Sequence, residues 1–314
     1  MPLDYSFMAT QSTPPSPVVV QSRRRSVIIN TDAKNEADDQ FAIVHALLSP
    51  SLEMRGLIAA HFGSRRSTRS MEESREEIDL LLKLMDRQER VTVANGAPQG
   101  LIDERTPQDS AGARLIIKES KLASPENPLY VAFLGPLTDM ASAILLDPEL
   151  VGRPVVVIWI GGTGYGGIEA HGGIEFNLSN DINAANVVFD SGITLWQVPQ
   201  NVYSQVSVSY AELEEKIGGT SELADYLIRQ MVEWNATHWP EPIESRSLGD
   251  SPAVSLMLYP NGGTFRARPA PRFGPAGDYL PGAGHAIRVT ETVDVRFLIE
   301  DMFAKLRRFG QRRP

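Results

Sequence analysis

No cysteine occurs in the 314 residues, which removes disulfides, thiol nucleophiles and thiolate-bound metal together. Long hydrophobic runs are also missing: nothing approaches the roughly eighteen uninterrupted apolar residues that a bilayer crossing needs. The opening segment MPLDYSFMATQSTPPSPVVVQSRRR lacks the basic-then-apolar order of a secretion signal, so a cytoplasmic protein is expected, with no membrane partner. Positive charge is in short supply, 30 Lys and Arg against 39 Asp and Glu. A net charge of −9 argues against a general nucleic-acid surface and leaves small-molecule substrates open.

What is present reads as an α/β fold. Residues 1–25, rich in Ser, Pro and Gln without apolar periodicity, are expected to form a disordered tail, with Arg23 to Arg25 flanking the first strand. From Ser26 onward β-branched runs alternate with amphipathic stretches, the pattern of an open, mostly parallel sheet flanked by helices on both faces. Strands are expected at 26–30, 53–60, 91–95, 129–135, 154–162 and 193–198, with helices at 38–49, 68–87, 111–121, 137–146 and 183–191 between them. Beyond residue 200 the strand signal fades and helices dominate. With no internal repeat and no long linker, residues 26–314 are read as one domain.

In such sheets ligands bind beyond the carboxyl ends of the strands. The first strand delivers NTDAKNEADD there, placing Asp32, Glu36, Asp38 and Asp39 within a few positions. Each close pair of carboxylates costs roughly 1 kcal/mol or more in repulsion. A hard divalent cation with oxygen ligands offsets that cost. Asp38 and Asp39 alone would also suit a helix N-terminus, but that does not account for Asp32. The run GGTGYGGIEAHGG (161–173) has neither the spacing nor the following helix of a dinucleotide fingerprint and reads as a substrate loop.

NTDAKNEADDQFAI resembles the signature of the inosine-uridine nucleoside hydrolases, a strand followed by Asp-Thr-Asp-Pro-Gly-x-Asp-Asp. Asn30 replaces the first aspartate, and the loop is longer by two residues. FLGPLTDMASAI (133–144), GGIEFNLSNDINAANVVFDSG (172–192) and LGDSPAV (248–254) are similar to three further family segments in the same order. The resemblance implies a Rossmann-related fold and calcium-dependent hydrolysis of the N-glycosidic bond of ribonucleosides. It implies that Asp32, Asp39, Asp250 and the carbonyl of Leu134 hold Ca2+, and that Asp38 binds ribose and takes a proton from the attacking water. Glu175 and Asn177 would grip the ribose hydroxyls, and a homodimer or homotetramer is implied. Anionic groups beside the sugar fit an oxocarbenium-like transition state.

Two departures follow. The family histidine preceding the last metal-binding aspartate is Gly249 here, which leaves His171 and His61 as candidate substrate-side groups. His45 is expected to be an ordinary helix residue, and Trp234 and Trp239 either pack on a helix or stack on a base. Arg65, Arg66 and Arg69 follow the second strand, either as a solvated charge run or as a phosphate-binding group at the rim. A metal-dependent phosphohydrolase and a non-catalytic nucleoside- or ribose-binding relative stay open as alternatives.

Overall fold

The computed structural model describes residues 24–167 and 173–311. Of the expected tail only Arg24 and Arg25 fall within them, and Arg25 already opens the first strand. The first half alternates β1 (Arg25–Thr31), α1 (Asp39–Leu47), β2 (Leu52–Ala59), α2 (Ser70–Leu84), β3 (Val93–Asn95), α3 (Ala111–Ser120), β4 (Leu129–Phe133), α4 (Thr138–Leu146) and β5 (Val155–Ile160). Then come α5 (Phe176–Asn180), α6 (Ile182–Asp190), β6 (Thr194–Val198), α7 (Gln200–Tyr203), β7 (Ser207–Ser209), α8 (Tyr210–Ile217), α9 (Glu222–His238), β8 (Ser245–Ser247) and α10 (Ser251–Leu258). The chain closes with β9 (Gly263–Phe273), β10 (Tyr279–Val293) and α11 (Val295–Gln311).

Eight strands form one sheet in the order β3-β2-β1-β4-β5-β6-β10-β9, parallel except for β9, which runs antiparallel to β10. Side chains alternate between two cores because neighbouring residues of a strand face opposite ways. Val27 and Ile29 enter one core with α1, α2 and α9 to α11, while Ile28 enters the other with α3, α4 and α6. Burial on both faces is the reason these strands read as continuous apolar runs.

Strand order reverses between β1 and β4, whose neighbours diverge to opposite edges. Such a switch point leaves a crevice beyond the strand ends. Asp32 follows β1 there and Leu134 follows β4, with the Leu134 N–H donating to the Asn30 carbonyl at 2.9 Å.

The helices expected after residue 200 form as α8 to α11, but strands that the sequence pattern did not signal form there as well. A long hairpin, β9 with β10, completes the sheet, and the short pair β7 with β8 forms a separate antiparallel sheet. Pro269, Pro271 and Pro281 hid the hairpin from a sequence reading. Proline is tolerated in β9 because β9 is an edge strand, and the pairing is interrupted between Pro281 and Ala286. Among the described residues no helix is long and apolar enough to cross a membrane.

Candidate active site

A cavity of about 430 Å3 opens at the switch point. Its walls carry Asp32, Glu36, Asp38, Asp39, Glu175 and Asp250, with Leu134, Asn177 and Tyr203. Asp38 caps α1 and Asp39 is its first residue, so both carboxylates stand at the positive end of that helix. Asp250 arrives from the far end of the chain as the residue before α10, which packs on α1. One carboxylate oxygen from each of Asp38, Asp39 and Asp250 lies within 4.8 Å of the others.

Asp32 is buried beside this triad. Its Oδ2 has no hydrogen-bond partner, and a side chain on Gly135 would stand 2.8 Å from its Oδ1, so the glycine after Leu134 makes the room that Asp32 occupies. Asp39 accepts from the Thr31 hydroxyl, and its carboxylate stands close to that of Asp250.

Burial, followed by mutual repulsion, holds these groups protonated beyond the usual carboxylate range. Burial raises Asp38 to about 6, with Arg246 pulling it down and Glu36 pushing it up. Burial and Asp38 raise Asp39 to about 7. Asp32 and Asp250 are raised well above 3.8 for the same two reasons. Four buried acids whose ionisation is opposed by burial and by one another are a donor set for a hard cation, which favours the ionised form. The unpartnered oxygen of Asp32 and the Leu134 carbonyl on the same wall are further oxygen donors, so these residues fit such an ion.

The sugar-side candidates are held firmly. Glu175 accepts from the N–H groups of Gly162 (2.8 Å), Leu178 (2.9 Å) and Asn177 (3.2 Å), and from the Tyr203 hydroxyl (2.9 Å). Burial raises its pKa, and these bonds oppose the rise. The Asn177 Nδ2 donates to the carbonyls of Leu134 (2.5 Å) and Ile160 (2.9 Å), tying the ends of β4 and β5 together.

The lengthened loop is clamped from outside. Arg246, from β8, donates to Glu36 and to Asn235 Oδ1 (3.0 Å) and lies over the Trp234 ring at 4.2 Å. Arg66 donates to the Asn35 carbonyl (2.9 Å), pairs with Glu36 at 3.8 Å and covers Phe176 at 4.7 Å. Trp234 thus packs rather than opening to a base, donating its Nε1–H to the Asn35 carbonyl at 3.1 Å. Trp239 is half exposed and lines the cavity.

Not every expected residue gathers here. His61 is absent from the cavity wall: its buried ring lies between the Thr138 hydroxyl (2.8 Å) and the Gly63 N–H (3.1 Å), and burial lowers its pKa to about 4. His171 lies outside the described residues. His45 is fully buried against Asp301 at 2.8 Å, an ordinary packed helix residue. At Gly249 a Cβ would stand 3.0 Å from the Tyr203 ring and 3.2 Å from Asp38 Oδ2, so the tyrosine occupies the space a side chain there would need. Tyr203 and Arg246 carried no signal in the sequence: the one ends a four-residue helix, the other sits in a three-residue strand.

The sequence profile of the inosine-uridine preferring nucleoside hydrolases matches residues 27–296. A probable uridine nucleosidase 2 of Arabidopsis thaliana is 26% identical over 225 residues, 66% of this chain and 68% of that protein. A pyrimidine-specific ribonucleoside hydrolase of Escherichia coli is 26% identical over 221 residues, 61% and 68% of the two chains. The match thus spans about two thirds of the length of these curated relatives. Among solved structures, the purine-preferring ribonucleoside hydrolase from Gardnerella vaginalis superposes with a TM-score of 0.75 at 20% identity, over 91% of this chain and 99% of that one. A plant nucleoside hydrolase gives 0.73 at 22% identity, over 90% and 98%. At these identities the structural likeness speaks for the fold.

Proposed function

Because the chain belongs to the inosine-uridine preferring nucleoside hydrolase family, we propose that it hydrolyses the N-glycosidic bond of ribonucleosides with Ca2+ as cofactor. The observation that carries this reading is the meeting of Asp250 with Asp38 and Asp39, more than 200 positions away in sequence, in one acidic cavity that also holds Asp32, Glu175 and Asn177.

Asp32, Asp39, Asp250 and the Leu134 carbonyl would hold the ion. When bound, it supplies a polarised water at neutral pH and fixes the neighbouring carboxylates in their ionised form. Asp38 is the carboxylate that takes the proton of the attacking water. Glu175 and Asn177 bind the sugar hydroxyls from a rigid α5 terminus, so little ordering is left to be done on binding. As the C–N bond breaks, positive charge develops on the sugar, and this acidic wall stabilises it more than it stabilises the neutral ground state. Tyr203 holds Glu175 through its hydroxyl and packs its ring against Gly249.

Release of free base from a nucleoside panel, measured with chelator and with added calcium, tests the proposal. Turnover should vanish with chelator and return with calcium. Asp38→Ala should lose at least about a hundredfold in kcat, the scale of a general base, while keeping its melting temperature within a few degrees. Release of phosphate from phosphoesters without free base, or no base at saturating calcium, would overturn it.

A further inference from the structure

We propose that the substrate carries a phosphoryl group on its sugar, in the simplest case a ribonucleoside 5′-monophosphate, with the phosphate seated in a second cavity beside the acidic one. The inference rests on the N-glycosidic reading above and narrows its substrate class.

With the cation bound and its carboxylates ionised, the six acids leave the acidic cavity net negative, which opposes a phosphate there. Its neighbour is the electrostatic opposite. This second cavity, of about 540 Å3, has no Asp or Glu on its wall, although acids outnumber bases in the chain. Residues with hydrogen-bond donors line it instead: Arg65, Ser64, Thr68, Ser70 and Asn180.

Arg65 is the cation left over in its segment. Arg66 is taken up by Asn35 and Glu36, and Arg69 pairs with Glu76 at 3.0 Å. Arg65 has no carboxylate partner among the described residues. Its guanidinium donates to Ser179 Oγ (2.5 Å) and, at the limit of bonding, to Asn180 Oδ1 (3.5 Å), and it stands over Phe176 at 5.7 Å. A second donor beside it is idle as well, since Asn180 Nδ2 is buried and bonded to nothing. The Arg65 guanidinium presents a planar fork that suits an oxyanion with several acceptor atoms, and the Asn180 amide is open to it only if its side chain turns. Ser67 does not contribute, because Glu73 accepts its hydroxyl proton at 2.6 Å.

Helix α5 joins the two cavities. Phe176 and Asn177 face the acidic one, and Ser179 and Asn180 the other. Asn177 and Asn180 are three residues apart, about 4.5 Å of rise along the helix axis, so a phosphoryl group on the sugar is the substituent nearest in size to the step between the two walls. In the reaction the water oxygen bonds to C1′ and its proton passes to Asp38. The C1′–N electron pair leaves with the base, which takes a proton from solvent. The phosphoester stays intact, so the products are free base and ribose 5-phosphate.

The test compares kcat/KM for ribonucleosides and their 5′-monophosphates, and Kd for ribose 5-phosphate, ribose and inorganic phosphate, in the calcium-loaded full chain and in Arg65→Gln and Arg65→Lys. Expected is a preference of about tenfold or more for the phosphorylated member of each pair, the size of one charge-assisted contact. That preference should collapse toward unity in Arg65→Gln and be partly kept in Arg65→Lys. Equal or better use of the unphosphorylated nucleoside overturns the inference and leaves the hydrolase reading standing. Arg65-dependent binding of inorganic phosphate without any gain for the phosphorylated sugar also overturns it, by assigning the cavity to a separate anion. If no base leaves either substrate, the hydrolase reading falls, and the Kd ratio of ribose 5-phosphate to ribose, with its dependence on Arg65, decides the inference alone.

Discussion

At position 30 a buried amide faces a buried acid. The Asn30 Nδ2 donates to Asp139 Oδ2 at 2.8 Å, and Asp139 further accepts from the Ser110 hydroxyl (2.6 Å) and the Ala97 N–H (2.9 Å). Burial already raises the Asp139 pKa, with these three bonds opposing the rise. An aspartate at position 30, as in the family signature, would oppose one carboxylate with another where neither reaches water. Asn30→Asp should therefore destabilise the protein by about 3 kcal/mol or more at pH 7.5, the cost of a buried uncompensated charge. The penalty should shrink toward pH 4, where one carboxyl takes up a proton. Urea denaturation of both proteins at the two pH values checks this, and a penalty independent of pH would contradict it.

At the scale of elements, the lengthened loop after β1 owes its shape to strands and helices remote in sequence. β8 supplies Arg246, α9 supplies Trp234 and Gln230, and the latter donates to the Ala37 carbonyl at 2.9 Å. Arg246 is 7% exposed and its partner Glu36 34%, so the pair is neither fully buried nor freely screened. Removing the arginine should cost less than breaking a fully buried pair, about 1–3 kcal/mol. The stronger effect of Arg246→Ala should be local: faster amide exchange over residues 34–38 and a raised KM, with α11 and the central strands unchanged. Hydrogen exchange read by mass spectrometry distinguishes this from general loosening, in which protection would fall throughout.

Over the whole molecule, the acidic cavity ties stability to pH and to a cation. Unfolded aspartates titrate near 3.8, whereas Asp38 and Asp39 titrate at about 6 and about 7 in the fold. Between those values the native state holds more protons than the unfolded one, so the stability of the cation-free protein falls as pH rises through the window. Calcium binds the ionised form, so its stabilisation should grow over the same range. Melting curves at pH 5 and pH 7.5 should show the chelated protein losing stability at the higher pH, with a larger calcium-induced rise there. A calcium effect equal at both pH values would remove the cation from the cluster.

The sequence by itself determined the parallel half of the sheet and its acid-bearing strand end. Both are local: β1, β2, β4 and β5 are short, largely buried apolar runs, and NTDAKNEADD is contiguous. Tertiary structure decided the remainder. The β9–β10 hairpin is stabilised by pairing at a sheet edge, which permits prolines that a local reading takes as breaks. Asp250 becomes a neighbour of Asp38 through the packing of α10 on α1, and Tyr203 fills the space beside Gly249 through a contact 46 positions apart. Of the three arginines in residues 65–69, packing gave Arg66 and Arg69 carboxylate partners and Arg65 a neutral hydroxyl. Side-chain charge and local periodicity are properties of the chain, whereas which charges find partners depends on distances that only folding sets.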